Sequence, residues 1–243
     1  MARARQMIVV ANDAYAKTAA GKILDVADAA VSAHGAFHVA LAGGSTPKAI
    51  YRRLVAAEHD FRYWHVYFGD ERWVPREHPD SNYRMAREAL LDHVPIPAAQ
   101  IHAVPTDTGD PQGAAKLYEA TLHLALPAEN GAQRLDLILL GLGSDGHTAS
   151  LFPGSTALDE RKRWVVANWV EKLASQRITL TYPAIARARQ LFFLVTGVGK
   201  RDILAQVRTA MGTDAFPAAK FSAQQVEWIV DQAAAGDPCG VTG

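Results

Sequence analysis

The chain has 243 residues, of which 49% are hydrophobic and 21% charged, enough to bury a full core in one large domain or two small ones. Lys and Arg number 25, as do Asp and Glu, so the net charge is zero; this excludes bulk attraction to nucleic acid or an anionic membrane, and any anion must be held by a local site. A single cysteine, Cys239, excludes an intramolecular disulfide and a cysteine-bound zinc, and with neither a signal-peptide core nor an apolar run of membrane-span length the expected compartment is the cytoplasm.

In chain order, short β-rich apolar runs predict strands at 8–10, 37–42, 64–68, 135–140, 164–167, 177–181, 191–196 and 226–230. Helical stretches lie between most of them, among them 47–57, 83–91, 113–126 and 201–211. The alternation predicts an α/β fold, a mostly parallel sheet with helices on both faces. Three runs, 39–41, 135–140 and 191–195, are apolar throughout but for Asp136 and read as buried centre strands. No linker or internal repeat interrupts the pattern, so residues 1–231 are expected to form a single domain. Residues 232–243 are small and polar and read as a flexible tail, with Cys239 an exposed bystander.

An open parallel sheet binds ligands beyond the carboxyl ends of its strands. Four segments follow predicted strands there. In Gly43-Gly44-Ser45-Thr46-Pro47-Lys48, Thr46 reads as an N-cap and Pro47 as the first helical residue. Free N–H groups and two hydroxyls at a helix start suit a phosphate, although the same residues also describe an ordinary capped helix. In Gly69-Asp70-Glu71-Arg72-Trp73-Val74-Pro75, two acids and an arginine can orient sugar hydroxyls and pair with a phosphate, or form a surface ion pair. Asp80-Ser81-Asn82-Tyr83 reads as a helix start that folds back over this site.

The third segment, Gly141-Leu142-Gly143-Ser144-Asp145-Gly146-His147-Thr148-Ala149-Ser150, follows the most apolar strand. His147 stands where a general base is useful, and Asp145 is close enough to steer it. The G-x-G-x-x-G spelled here is accidental, because Pro153-Gly154 cuts off the helix that a dinucleotide site requires. In the fourth, Gly197-Val198-Gly199-Lys200, a lysine at a helix start suits an anion. It is no Walker A loop, since Leu194 stands where a glycine is needed. Arg177 is a weaker basic candidate, at the wrong end of its strand unless the pairing is antiparallel. The nine histidines form no H-E-x-x-H or H-x-H, and no metal is expected.

The first three of these segments, with Leu41-Ala42 before the first, Pro79-Asp80-Ser81-Asn82-Tyr83, Leu151-Phe152-Pro153-Gly154 after the third and Arg177-Ile178-Thr179-Leu180-Thr181, resemble the 6-phosphogluconolactonases, in that family's order and over most of the chain. The Asp-Gly-His-Thr-Ala-Ser-Leu-Phe-Pro run is specific; the Gly-Gly-Ser-Thr-Pro loop is shared with the related glucosamine-6-phosphate deaminases. The resemblance implies a Rossmann-like sheet and hydrolysis of 6-phospho-D-glucono-1,5-lactone, the second step of the oxidative pentose phosphate pathway. It implies no cofactor, and no partner beyond the sugar phosphate. By motif, His147 is the base, and Arg72 and Lys200 with the Gly44, Ser45 and Thr46 loop hold the phosphate; the residues themselves add Asp145 as the catalytic partner of His147, and Gly43, Asp70 and Arg177 to the substrate site. Two alternatives stay open: a deaminase, although Thr148-Ala149-Ser150-Leu151-Phe152 lacks the glutamate that deaminases carry after Asp-Gly-His, and a non-catalytic sugar-phosphate sensor.

Overall fold

The computed structural model describes residues 6–129, 132–221 and 226–236. In chain order its strands are β1 (Gln6–Val10), β2 (Phe37–Leu41), β3 (Trp64–Phe68), β4 (Asp70–Arg72), β5 (Ala128–Glu129), β6 (Ala132–Gln133), β7 (Leu137–Gly141), β8 (Val165–Val170), β9 (Ser175–Leu180), β10 (Gln190–Val195) and β11 (Val226–Asp231). The helices are α1 (Tyr15–His34), α2 (Ser45–Val55), α3 (Asn82–Ala86), α4 (Pro111–Ala125), α5 (Tyr182–Ile185), α6 (Arg201–Thr209) and α7 (Gln232–Ala235).

The apolar runs make a six-stranded parallel sheet in the order β1-β11-β10-β7-β2-β3. The three apolar runs expected at the centre are interior strands of it. Every residue of β2 is buried, as are Leu137–Leu140 of β7 and all of β10 but Gln190. Each such Leu or Phe stabilises the fold by about 1.5–3 kcal/mol relative to leaving it in water. Helix α1 buries a stripe of Tyr15, Ala19, Ala20, Ile23, Ala27 and Ala30, at the spacing of one helical face. Its Tyr15 hydroxyl donates to the carbonyl of Ile229 at 2.9 Å, tying the helix to β11. No helix among the described residues is long and apolar enough to cross a membrane.

The runs near 164–167 and 177–181 do not enter this sheet. They become β8 and β9 of a second, three-stranded antiparallel sheet, β4-β9-β8. The reason is connection length: only a short turn, Glu171–Leu173 with left-handed Ala174 (φ 44°), joins β8 to β9, and parallel pairing needs a crossover of a dozen residues or more. β4 leaves the end of β3 through Gly69, whose N–H donates to Leu41 and whose carbonyl accepts from Leu180. The small sheet therefore stands at the carboxyl edge of the large one. At the chain's end, the expected tail begins at Gln232, yet Gln232–Ala235 form α7, capped by the Asp231 carboxylate at 2.7 Å from the Ala234 nitrogen. Residues 237–243, with Cys239, lie outside the described residues.

Candidate active site

After β2 the chain moves outward to β3, and after β7 it moves the other way to β10 and β11. Such a reversal opens a crevice at the carboxyl ends of the two strands. A cleft of about 450 Å³ lies there. The loops after β2, β7 and β10 line it, and β4 and β9 wall it from the antiparallel sheet. Of the residues singled out from the sequence, Gly43, Gly44, Ser45, Thr46, Asp70, Arg72, His147, Arg177 and Lys200 all border this one cleft, while Asp145 stands behind His147.

The loop after β7 is built to present His147. Gly146 turns with φ 79°, its N–H bonded to the Gly143 carbonyl, and the Gly143 N–H bonds back to the His147 carbonyl at 2.8 Å. The imidazole stacks on Phe152 with centroids 3.9 Å apart. Its Nδ1 lies 2.5 Å from Asp145 Oδ1, and Asp145 Oδ2 lies 3.1 Å from Lys172 Nζ. Burial raises the Asp145 pKa, but hydrogen bonds from His147 and Lys172 outweigh it and hold the carboxyl down to about 2. An ionised carboxylate only accepts, so the proton of the neutral imidazole sits on Nδ1 and Nε2 keeps its lone pair.

The other end of the cleft is cationic. Helix α2 begins at Ser45, with Gly44 (φ 105°) as its N-cap and no side chain capping it, so its first N–H groups and the positive end of its dipole are available to a ligand. Thr46 is not the cap expected from the sequence. Its hydroxyl pairs with that of Thr196 at 2.5 Å, across to the end of β10. The Gly197 N–H is held by both Asp231 carboxylate oxygens at 3.0 Å, which fixes the turn that carries Lys200. Arg177, at the wrong end of a parallel strand, reaches the cleft because β9 runs antiparallel: its register partner is Arg72. Burial, then the charge of Arg72, push the Arg177 pKa below its ordinary value. The two guanidinium groups, paired across β4 and β9, concentrate positive charge at this end of the cleft.

The acids of the second segment divide. Side chains alternate along a strand, so Asp70 and Arg72 face the cleft and Glu71 turns away. Glu71 is 2% exposed; it is no ligand for a sugar, contrary to the pairing of both acids expected above. The cleft residues without a role in the sequence reading include Asn82, Ser150, Phe152 and Thr196. Ser150 Oγ donates to Asp70 Oδ2 at 2.6 Å, and Asn82 Nδ2 donates to Asp70 Oδ1 at 3.2 Å. Ser150 is turned inward by the left-handed Ala149 (φ 48°), a bend that no local sequence signal announces.

The geometry thus joins a carboxylate-supported imidazole and a cationic helix start in one cleft of a doubly wound fold. The family of glucosamine-6-phosphate isomerases and 6-phosphogluconolactonases matches residues 11–230. A 6-phosphogluconolactonase of Nostoc is 43% identical over 218 residues, 88% of this chain and 90% of the relative. The solved 6-phosphogluconolactonase of Trypanosoma cruzi superposes with a TM-score of 0.84 at 32% identity, covering 98% of each chain. A monomeric glucosamine-6-phosphate deaminase shares the fold, with a TM-score of 0.80 at 17% identity. Sequence and fold agree, and the chain belongs to the glucosamine-6-phosphate isomerase/6-phosphogluconolactonase family, among its 6-phosphogluconolactonases.

Proposed function

We propose that the chain hydrolyses 6-phospho-D-glucono-1,5-lactone to 6-phospho-D-gluconate, the second step of the oxidative pentose phosphate pathway, in the cytoplasm. The observation that carries the reading is the His147–Asp145 pair facing, within one cleft, the uncapped start of α2 with Arg72, Arg177 and Lys200. The phosphate docks on that helix start and the basic side chains, and Asp70 takes ring hydroxyls. His147 Nε2 accepts a proton from water as the water oxygen bonds to C1. The Gly143 and Gly146 amides are already bonded inside the loop, so the Ser144 amide is the loop's donor to the oxyanion. The intermediate collapses by breaking the bond from C1 to the ring oxygen, which takes the proton back from His147. The imidazole returns to its neutral form and the new carboxylic acid ionises to solvent. Water, one base and an anion site account for every atom, so the reading includes no cofactor and no partner beyond the substrate.

The test is direct. Purified protein should accelerate acid release from freshly generated lactone above the spontaneous rate, with a chelator present, and release no ammonia from glucosamine 6-phosphate. Ammonia release would favour the deaminase, and no acceleration a sugar-phosphate sensor.

A further inference from the structure

Glu71 is the most completely bonded acid beside the cleft, yet it does not enter it. Its Oε1 accepts the N–H groups of Arg72 at 2.8 Å and Asn82 at 2.7 Å. Its Oε2 accepts the N–H of Tyr83 at 2.8 Å and the Ser81 hydroxyl at 3.2 Å. All four donors belong either to β4 or to the turn that starts α3. A buried carboxylate in a nest of N–H groups fixes both pieces of backbone at once, because leaving those donors unpaired is unfavourable.

What the turn then touches gives Glu71 its consequence. The Asp80 carbonyl accepts from Arg72 Nη1 at 2.5 Å, which aims the guanidinium. The Asn82 amide donates to the Asp70 carbonyl at 2.9 Å and to its carboxylate. The same amide lies so close to Gly43 that a Cβ there would sit 1.8 Å from Asn82 Oδ1. One turn therefore contacts the cation, the acid and the glycine loop on the ligand side of the cleft. The His147–Asp145 pair hangs from a different strand, β7, and shares no bond with Glu71.

We propose that Glu71 is a positioning residue for substrate binding: by clamping the start of α3 to β4 it sets Arg72, Asp70 and the Gly43 loop in register with one another. This rests on the lactonase reading of the cleft, and it separates the groups that hold the ligand from those that carry the chemistry.

The experiment is Glu71→Gln in the full chain, with KM and kcat for 6-phosphogluconolactone and the inhibition constant of 6-phosphogluconate. Glutamine keeps the shape but turns an amide toward backbone N–H donors. KM and the inhibition constant should each rise about tenfold or more, with kcat within about threefold of the wild type, the pattern of lost ligand positioning. A residue that only stabilises the fold would instead lower the active fraction, so that apparent kcat falls and KM stays put. KM within twofold of the wild type in the folded variant would overturn the proposal. If Glu71→Gln does not fold, Ser81→Ala, which removes one donor to Glu71 together with the side-chain cap of α3, should raise KM in the same direction by a smaller factor; an unchanged KM there overturns it equally. An inactive wild-type protein would sink the lactonase reading, whereas an active one with an insensitive KM sinks the clamp alone.

Discussion

A Cβ at position 143 would come within 2.0 Å of His147 Nδ1. The imidazole thus occupies the volume that any other residue would fill, and Phe152 closes its far side. This packing, with Asp145 on Nδ1, leaves the ring one orientation. His147→Ala should lower kcat by about 10²–10⁴-fold, the usual value of a general base, while the affinity for 6-phosphogluconate changes little. Gly143→Ala should reproduce most of that loss in a folded protein by displacing the ring. A near-wild-type rate in His147→Ala, after correction for spontaneous hydrolysis, would remove the base assignment. Asp145 and His147 were legible in the sequence because they follow the most apolar strand in a glycine-rich run. The opposite facing of Asp70 and Glu71 was not, because a strand of three residues is too short to show its period.

Among the elements, the antiparallel sheet decides the shape of the cationic end of the cleft. β9 brings Arg177 beside Arg72, and β10 ends in the turn that brings Lys200 to the start of α2. Replacing Arg72, Arg177 or Lys200 with Ala should raise KM for the phosphorylated lactone by about 10-fold or more, and that for the unphosphorylated lactone far less, since only the former brings a dianion. Parallel rate measurements on both lactones read the difference; equal losses would assign these side chains to ring contacts or folding. The strand at 177–181 could be read from its composition, but its direction could not. Direction depends on the length of the turn from β8 and on a left-handed Ala174, which carries no glycine to mark it. Thr46 was misread for a related reason: its partner, Thr196, lies 150 residues away.

For the whole molecule, the parallel core was legible because fully buried strands leave uninterrupted apolar runs. Its amino-end edge was less so, and there the sheet carries a stack of histidines, with His38 buried and His65 and His102 half-buried. His38 lies on His65 at 4.6 Å, His65 on His102 at 5.9 Å, and His102 on Tyr67 at 4.5 Å. His38 Nδ1 meets the Tyr67 hydroxyl at 3.2 Å, and Asp136 beside it binds His34 at 3.0 Å and Arg189 at 3.1 Å. Burial, then neighbouring imidazoles, lower the His38 pKa to about 3 and that of His102 to about 4, and burial lowers that of His65. The unfolded chain binds these protons near pH 6.5 and the native state only well below it. The stability they contribute is therefore present above that pH and is lost as pH falls toward the folded values. Buried His38 alone should account for about 2 kcal/mol between pH 7 and 5. His38→Asn should show a smaller drop in Tm over that interval than the wild type; an equal drop would place the acid sensitivity elsewhere. The outer edge of the same sheet has a consequence for biosynthesis. β1, the first strand, pairs with β11, the last described strand. As the chain leaves the ribosome, Gln6–Val10 emerges more than two hundred residues ahead of its sheet neighbour. Such a long-range contact is slow to close, so β1 waits unsheltered for β11, and its Met7-Ile8-Val9-Val10 stretch is open to chaperones until β11 has been made.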